Sequence, residues 1–180
     1  MRVITGAARG RRLKEPAGLN IRPTTDRVKE AMFNICQDGV ESWRVLDLFG
    51  GTGQLGIEAK SRGAGEVTIE DSDKTAVALI RENVRLTGLE IRVVRGDALS
   101  FLRQRGSVYD LIFLDPPYGS GLAESALKMI KSFDKLSFGG IIICETDAFT
   151  TVLPEMEPPY LRLREYRYGK VKLTTYTKLQ

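Results

Sequence analysis

The residues best suited to chemistry stand at the end of an apolar stretch, where Leu111–Leu114 is followed by Asp115, Pro116, Pro117 and Tyr118. The apolar run indicates a buried strand, and proline ends a strand because it fixes φ and has no N–H to donate. A stiff turn after a strand would explain the two prolines. It would not explain why an acid and an aromatic residue flank them, so the pattern favours a functional role for all four residues.

This tetrapeptide is suited to holding a planar amine, such as the exocyclic amino group of a nucleic-acid base. Asp115 and a backbone carbonyl of the proline turn can accept both N–H bonds, which orients the nitrogen and stabilises the positive charge that grows on it. Tyr118 can stack on the base after the base has left its surroundings. The chemistry that these residues predict is in-line displacement at a sulfonium methyl group by the amine.

A glycine loop lies upstream of the tetrapeptide. Its residues follow the apolar stretch Val45–Leu48 and are Phe49, Gly50, Gly51, Thr52 and Gly53. Glycines let the backbone bend sharply and approach a ligand, and ligands of doubly wound sheets bind beyond the carboxyl ends of the strands. Gly51–Gly56 also matches the GxGxxG pattern of dinucleotide sites. A nicotinamide cofactor is disfavoured because Asp47 lies inside the preceding strand and 180 residues leave no second catalytic domain.

Acidic residues at the ends of neighbouring strands complete a predicted site for S-adenosylmethionine. Asp47 would help hold the methionine ammonium group, through a water or through the loop backbone. Glu70 and Asp71 compete for the ribose hydroxyls; they point to opposite faces of the strand, and strand parity favours Asp71. Asp97, followed by Ala98, would accept a hydrogen bond from the adenine amino group, although an aspartate in this position is usually a helix cap.

Composition narrows the class of protein. The 27 Lys and Arg residues against 23 Asp and Glu residues give a net charge of +4, which fits a polyanionic partner without requiring one. The first fifteen residues contain Arg2, Arg9, Arg11, Arg12 and Lys14 against the single acid Glu15. Such a basic arm is typical of phosphate binding. The absence of histidine excludes Ser-His-Asp and Cys-His nucleophile systems and histidine-bound metals, and no metal is expected.

Strand and helix patterns alternate along the chain after Gly39. Strands are predicted at Arg44–Phe49, Glu66–Asp71, Ile91–Arg95, Asp110–Asp115 and Gly140–Glu145, and helices from Thr25 and near Leu55–Arg62, Thr75–Thr87, Leu99–Arg105 and Leu122–Leu136. A closing antiparallel hairpin is predicted at Leu161–Tyr168 and Val171–Lys178. This order predicts an α/β fold with a doubly wound, mostly parallel, seven-stranded Rossmann-like sheet of the class I methyltransferase type.

The first residues predict a separate element. Val3 and Ile4 precede the turn region Gly6–Gly10, and a second short strand is expected at Arg12–Lys14, which together suggest a small β-hairpin. We therefore divide the chain into a basic hairpin extension, residues 1–20, and a methyltransferase domain, residues 21–180. The start lacks the apolar core of a signal peptide, and the longest apolar run, Gly139–Cys144, is too short to span a bilayer. We expect a cytoplasmic protein with no membrane contact.

Over nearly its whole length the chain resembles the bacterial 16S ribosomal RNA guanine-N2 methyltransferase family. The matching blocks are Arg2–Gly6, Arg9–Leu13, Arg22–Glu30, Met32–Asn34, Asp47–Gly53, Asp115–Tyr118 and Tyr168–Tyr176. The tetrapeptide is shared with other amino methyltransferases, whereas the Arg22–Asn34 block and the arginine-rich start are more specific. The resemblance implies transfer from S-adenosylmethionine to N2 of a guanine in 16S rRNA, within a partly or fully assembled small ribosomal subunit. We expect the enzyme to act as a monomer.

The resemblance also refines the site. It selects Asp71 for the ribose, since the family's ribose acid stands two residues before another Asp, here Asp73; Glu70 stands where an apolar residue is usual. Gly51 and Gln54 stand where alanines are common. Arg22, Pro23, Thr24 and Arg27 are expected to line the pocket near the methionine end and the base entrance, with Thr24 among the cofactor residues. The predicted RNA contacts are Arg9, Arg11, Arg12, Arg22 and Arg27.

Two other kinds of function remain open from the sequence. The same tetrapeptide could serve a DNA adenine-N6 or protein-glutamine methyltransferase, although no segment here is long enough for the target-recognition region usual in DNA enzymes. Alternatively, the chain could be an RNA-binding assembly factor that kept the fold and lost the chemistry. The intact Asp115–Tyr118 tetrapeptide and the glycine loop are evidence against that alternative.

Overall fold

A computed structural model describes residues 1–15, 24–37 and 39–180 of the chain. The helices are α1 (Asp26–Ile35), α2 (Gln54–Ser61), α3 (Lys74–Thr87), α4 (Ala98–Arg103) and α5 (Leu122–Ser132). The strands are β1 (Arg44–Leu48), β2 (Glu66–Asp71), β3 (Arg92–Arg95), β4 (Tyr109–Leu114), β5 (Leu136–Asp147), β6 (Tyr160–Tyr168) and β7 (Val171–Lys178). Within the described part of the chain, no helix is long and apolar enough to cross a membrane.

The strands form one sheet in the order β3-β2-β1-β4-β5-β7-β6. β1 to β5 pair in parallel, and β7 runs antiparallel between β5 and β6. The prediction of a doubly wound, mostly parallel, seven-stranded sheet is therefore confirmed. Because the parallel strands share one direction, β1, β2, β4 and β5 all end at the same edge, which we call the carboxyl edge. Every loop predicted to carry chemistry leaves the sheet there.

Two apolar clusters cover the two faces of the sheet, as alternating strand residues require. On one face, Val45 and Phe113 pack with residues of α1, α2 and α3. On the other, Leu46 and Ile112 pack with residues of α4 and α5. This arrangement fixes which face each residue at the carboxyl edge belongs to, because successive side chains alternate between the clusters.

The end of α5 is the helix boundary that differs most from its prediction. The apolar pattern predicted a helix to Leu136, but α5 ends at Ser132 and Leu136 is the first residue of β5. Asp134 adopts a φ of 49°, which ends the helix, and aspartate tolerates this left-handed conformation better than most residues. Leu136 is fully buried. A buried apolar residue suits the end of a helix as well as the start of a strand, so its apolar character could not distinguish the two.

The N-terminal β-hairpin is not formed as a pair of strands. The two segments meet at one antiparallel bridge between Arg2 and Arg12, and the N–H groups of Val3 and Leu13 donate across it to the carbonyls of Arg11 and Met1. The next two backbone N–H groups, of Ile4 and Thr5, donate to the carboxylate of Glu58 on α2, at 2.8 and 3.0 Å. The pairing between the segments is therefore short, and beyond Val3 the backbone donors are bound by a helix side chain. The predicted domain boundary at residues 20 and 21 lies outside the described residues.

Glu58 is the anchor of this N-terminal segment. Its side chain is fully buried on α2 and lies 2.8 Å from the guanidinium of Arg62 and 3.6 Å from the ammonium of Lys29. Lys29 is also fully buried, and it donates to the Arg2 carbonyl at 2.7 Å. Charges this deeply buried persist only when they are paired and hydrogen-bonded. The cluster therefore joins α1, α2 and the first residues of the chain.

A second contact places the same segment beside the glycine loop. The fully buried side chain of Asn83 on α3 donates to the carbonyl oxygens of Lys14 and Thr52, at 3.2 and 3.0 Å, and accepts from the Lys14 N–H at 2.7 Å. The basic segment is thus held against the loop that follows β1.

Replacing Glu58 with alanine is expected to destabilise the fold by about 3 kcal/mol, because the buried Lys29 charge and two partly buried backbone N–H groups lose this partner. Urea unfolding followed by circular dichroism measures this change. Glu90→Ala, which removes an exposed acid, is the matched control and is expected to change the free energy of unfolding by less than about 0.5 kcal/mol. Equal unfolding midpoints for the two variants would contradict the role given to Glu58.

Candidate active site

The glycine loop turns sharply between β1 and α2. Phe49 and Gly53 have φ values of 69° and 78°, and Gly53 immediately precedes the helix. A side chain on Gly50 would place its Cβ 2.3 Å from Cγ2 of Ile69 in β2, and one on Gly56 would lie 2.5 Å from Cγ1 of the same residue. Glycine at these two positions is required by the close approach of the loop and α2 to β2.

Hydrogen bonds join this loop to the end of β2. The Gly50 N–H donates to the Glu70 carbonyl, and the Gly51 N–H donates to Oδ2 of Asp71, both at 2.8 Å. The other carboxylate oxygen of Asp71 accepts from the Asp73 N–H at 2.9 Å. Asp71 is therefore fixed beside the loop with both oxygens oriented, and each oxygen keeps a lone pair for a further donor.

Asp47 lies beneath the loop. Its buried carboxylate accepts the Gly56 N–H at 2.8 Å, within the first turn of α2. Burial raises the pKa of Asp47 to about 7; the Gly56 N–H opposes this rise, and the nearby charge of Asp71 adds to it. Asp47 thus stabilises the end of the loop and the start of α2 through a backbone N–H.

Glu70 lies on the opposite face of β2 from Asp71, as the alternation of side chains predicted. It is fully buried, and neither carboxylate oxygen has a hydrogen-bond partner among the described residues. Burial is the main reason that its pKa rises to about 8; the charges of Asp71 and Asp97 add to the rise, and the backbone of Phe49 opposes it. A neutral carboxyl group that can donate and accept is expected here near neutral pH.

Asp97 caps helix α4, with its Oδ1 accepting the Ser100 N–H at 2.8 Å. The Ser100 side chain, and after it the Ser100 N–H, hold the pKa of Asp97 below its usual value. Ala98 is buried at the start of the helix. The exposed Asp97 carboxylate lies at the carboxyl edge beyond β3, near Glu70. Its capping role is shown, and its predicted contact with adenine stays a prediction.

The tetrapeptide Asp115–Tyr118 begins where β4 ends. Oδ2 of Asp115 accepts a hydrogen bond from the hydroxyl of Thr24 at 3.2 Å. Burial raises the pKa of Asp115 well above its usual value, the charge of Glu145 adds to this rise, and the Thr24 hydroxyl opposes it. Pro116 is buried, whereas Pro117 is exposed and its carbonyl oxygen accepts both the N–H and the hydroxyl of Ser120.

Glu145 is a second acid in this part of the site, and we did not single it out from the sequence. It follows Cys144, which pairs with Leu114, so Glu145 comes level with Asp115 on the neighbouring strand. The hydroxyl of Tyr118 donates to Oε1 of Glu145 at 2.8 Å. The signal that could have identified Glu145 is its position: it stands at the end of an apolar strand, as Asp115 does.

Gln54 connects the two halves of the site. The first residue of α2, it is buried, and its side-chain amide donates to the Thr24 carbonyl at 3.1 Å. Thr24 in turn donates to Asp115. The glycine loop and the tetrapeptide are thus joined through a single residue ahead of α1.

Four of the five arginines predicted to contact RNA lie on the surface of the described structure. Arg9, Arg11 and Arg12 are exposed on the N-terminal segment. Arg27 is exposed on α1, with its guanidinium carbon 6.0 Å from the centre of the Tyr168 ring. Arg22, and Pro23 beside it, lie outside the described residues. Among the residues that are described, no group of three acids or cysteines is placed to hold a metal ion.

Comparison with known proteins identifies the family. A family model described as "Conserved hypothetical protein 95" matches residues 1–177. Ribosomal RNA small subunit methyltransferase D of Escherichia coli K12 is 34% identical over 179 residues, covering 99% of this chain and 90% of that protein. The chain belongs to the small-subunit rRNA methyltransferase D family. The resemblance found in the sequence is therefore confirmed, and family membership makes the chain a methyltransferase.

Two further relatives agree with this assignment to the methyltransferase D family. YlbH of Bacillus subtilis strain 168 is 38% identical over 183 residues, with 99% of each chain covered. The solved structure of Escherichia coli yhhF superposes with a TM-score of 0.88 at 34% identity, covering 99% of this chain and 98% of that one. The fold of this chain therefore matches that of the Escherichia coli protein over nearly its whole length.

The buried carboxyl of Glu70 yields a test by pH. Its pKa is 4.5 in an exposed state and about 8 in the fold, so the unfolded chain loses this proton first and stability falls as the pH rises between those values. Glu70→Gln removes this titration. The variant is expected to gain stability relative to the natural protein between pH 5 and pH 8.5, by a few kcal/mol at most.

Thermal unfolding of both proteins at the two pH values measures the difference. Glu66→Gln, an exposed acid at the start of the same strand, serves as the control and should give the same difference from the natural protein at each pH. A Glu70→Gln difference that also stayed constant with pH would show that Glu70 titrates in the fold as it does in the unfolded chain.

Proposed function

We propose that this protein transfers a methyl group from S-adenosylmethionine to the exocyclic N2 of a guanine in 16S rRNA of the small ribosomal subunit. The observation that carries the proposal is the meeting of two arrangements at the carboxyl edge. One is the Asp71 carboxylate fixed by the glycine loop, and the other is Asp115 flanked by Thr24 and Glu145. The Escherichia coli relative, a ribosomal RNA small subunit methyltransferase by name, supports a small-subunit RNA substrate.

The residues at the glycine loop fit S-adenosylmethionine. The loop carries no side chain where Gly50 approaches β2, and Asp71 keeps lone pairs beside it for the ribose hydroxyls. Asp47 and the loop backbone would lie at the methionine end, and Asp97 and Glu70 near the base. When bound, the cofactor supplies an electrophilic methyl group on a positively charged sulfur.

Asp115 would hold the guanine amino group. Its carboxylate accepts one N–H, and a carbonyl oxygen of the proline turn accepts the other. Both lone pairs of the Pro117 carbonyl are directed to Ser120, so we assign this role to the carbonyl of Pro116. Two acceptors orient the nitrogen lone pair and stabilise its growing positive charge, and the methylated nitrogen then loses a proton.

Tyr118 would stack on the guanine ring. Its side chain is 39% exposed, so one part of the ring remains accessible while the hydroxyl is held by Glu145. Fixing the hydroxyl limits the rotation of the ring, and an ordered aromatic face binds a base with less loss of side-chain entropy. Glu145 is therefore a positioning residue in this proposal.

The exposed arginines would contact the RNA. Arg9, Arg11 and Arg12 are carried by a segment that Asn83 holds beside the glycine loop, and Arg27 lies one turn of α1 beyond Thr24. Positive side chains around the site attract a polyanion and increase the rate of encounter. We further propose that the protein acts as a cytoplasmic monomer on a partly or fully assembled small subunit.

The decisive experiment supplies methyl-labelled S-adenosylmethionine with unmodified small subunits, and separately with protein-free 16S rRNA. Label in N2-methylguanosine after nucleoside digestion is the expected result. Asp115→Asn is expected to lower kcat by at least about 100-fold, because the charged acceptor is lost while the shape is kept. Cofactor binding to this variant, measured by calorimetry, should be nearly unchanged.

Other products would overturn the proposal in different ways. Label in N6-methyladenine of DNA or in a protein glutamine would move the acceptor to the alternative classes. Cofactor binding with no labelled product would remove rRNA as the acceptor. Failure to bind S-adenosylmethionine, with tight binding of RNA, would favour an assembly factor that has no chemistry.

The raised pKa of Asp115 predicts the pH dependence of kcat. Asp115 must be ionised to accept the amine, so activity is lost as the pH falls through its pKa, which lies well above that of an exposed aspartate. Glu145→Gln removes a neighbouring negative charge and keeps a group that can contact Tyr118. The acidic limb of the pH profile is therefore expected to move to lower pH.

A Thr24→Val variant gives the opposite shift, because the hydroxyl opposes the rise in the pKa of Asp115. Opposite movements of the acidic limb in the two variants would identify Asp115 as the group that titrates. Identical limbs in all three proteins would assign the titration to another group.

A further inference from the structure

A groove of about 340 Å³ lies between α1 and β6, outside the site described above. Arg27, Glu30, Asn34 and Gln37 of the α1 side face Tyr166 and Tyr168 of β6 across it. The two tyrosines are half-buried, and the four polar residues are exposed. The groove is thus open to solvent, with an aromatic floor on one side and hydrogen-bonding side chains on the other.

The groove adjoins the carboxyl edge. Tyr168 pairs with Val171 of β7, and Val171 pairs with Asp147, the last residue of β5. On the α1 side, Arg27 is three residues beyond Thr24, whose hydroxyl contacts Asp115. Both walls of the groove therefore reach the side of the molecule that carries the tetrapeptide. The β6 wall lies two strands beyond β5, and the α1 wall follows the residue that contacts Asp115.

Arg27 and Tyr168 form the part of the groove suited to a planar ligand. The Arg27 guanidinium carbon is 6.0 Å from the centre of the Tyr168 ring, at the outer limit of a cation–π contact. A base stacked between two planar groups needs about 7 Å, twice the stacking distance of roughly 3.4 Å. Because Arg27 is exposed, its flexible side chain can move by the remaining distance of about 1 Å.

The remaining groups suit a nucleotide. Asn34 and Gln37 carry amides that can donate or accept, and Glu30 can accept from a base amine or a sugar hydroxyl. Arg164 points to the same face of β6 as Tyr166 and Tyr168, two positions before Tyr166, and Lys170 follows the strand. Both cations are exposed and lie beyond the aromatic floor, where the phosphates of a chain would continue.

We propose that this groove binds the base of an unpaired nucleotide adjacent to the target guanine, stacked on Tyr168 and covered by Arg27. The inference rests on the proposed function, since it takes RNA to be the substrate. It gives a role to the Tyr168–Lys170 segment, which the methyl-transfer site does not use. A flanking base held here would keep the strand open beside the flipped guanine.

The first test separates stacking from folding. Tyr168→Leu keeps an apolar side chain and removes the ring, and it is expected to raise KM for unmodified small subunits about tenfold with little change in kcat. Tyr168→Phe keeps the ring and is expected to lose at most about twofold. Phe138→Leu is the matched control: Phe138 is 61% exposed with Lys178 4.2 Å from its ring, but it stands near the start of β5, at the opposite edge.

Equal KM values for Tyr168→Leu and the natural protein would overturn the proposal, as would the same rise in Phe138→Leu. Thermal unfolding of each variant separates a loss of binding from a loss of structure. A fall in kcat and melting temperature without a change in KM would assign Tyr168 to packing alone, which also contradicts the proposal.

The second test reads the contact directly. A 16S rRNA transcript containing 4-thiouridine is irradiated with the protein, and the cross-linked peptides are identified by mass spectrometry. Cross-links in the peptide containing Tyr166–Lys170 are expected. Their absence, while cross-links appear elsewhere on the protein, would remove the groove from the RNA path and leave the proposed methylation intact. Failure of methylation is seen separately, as the absence of N2-methylguanosine from the natural protein.

Discussion

Carboxyl groups crowd the carboxyl edge of the sheet, and the rest of the site is arranged around the unfavourable energy of ionising them together. Among them are Asp47, Glu70, Asp71, Asp115 and Glu145. Burial raises the pKa of three of them, Asp47, Glu70 and Asp115, and neighbouring carboxylates add to each rise. The fold offsets part of this energy with aimed donors, namely the N–H groups of Gly51 and Gly56 and the hydroxyls of Thr24 and Tyr118. What negative potential remains suits a ligand with positive ammonium and sulfonium groups.

The same constraint explains the close packing of the glycine loop. Two of the donors are backbone N–H groups, so the backbone itself must approach β2 and Asp47. Ile69 occupies the space where a Cβ of Gly50 or Gly56 would stand. The loop therefore combines two requirements, short hydrogen bonds to acids and apolar contact with the strand, that only glycine satisfies at these positions. An alanine at either position would move the loop away from the acids that its N–H groups bind.

Patterns that are local in the chain could be predicted from the sequence. The bounds of β2 and β7 were as expected, because alternating residues and flanking turns define them, and the mostly parallel sheet followed from the alternation of strands and helices. The predicted end of α5 was wrong, since the buried Leu136 fits a helix or a strand equally well. Contacts between distant segments were missed. Glu145 meets Tyr118 through the register of β4 and β5, and Glu58 binds the N–H of Ile4 just beyond the short pairing of the N-terminal segments.

Thr24 shows how such distant contacts make one site from separate elements. Its carbonyl accepts from Gln54 at the start of the helix that follows the glycine loop, and its hydroxyl donates to Asp115. It also stands directly before Thr25, which caps α1, the helix that carries Arg27. A shift of α1 would therefore move a hydrogen-bond donor of Asp115 and a partner of α2 together. Thr24 makes both contacts because the chain enters α1 between the glycine loop and the tetrapeptide.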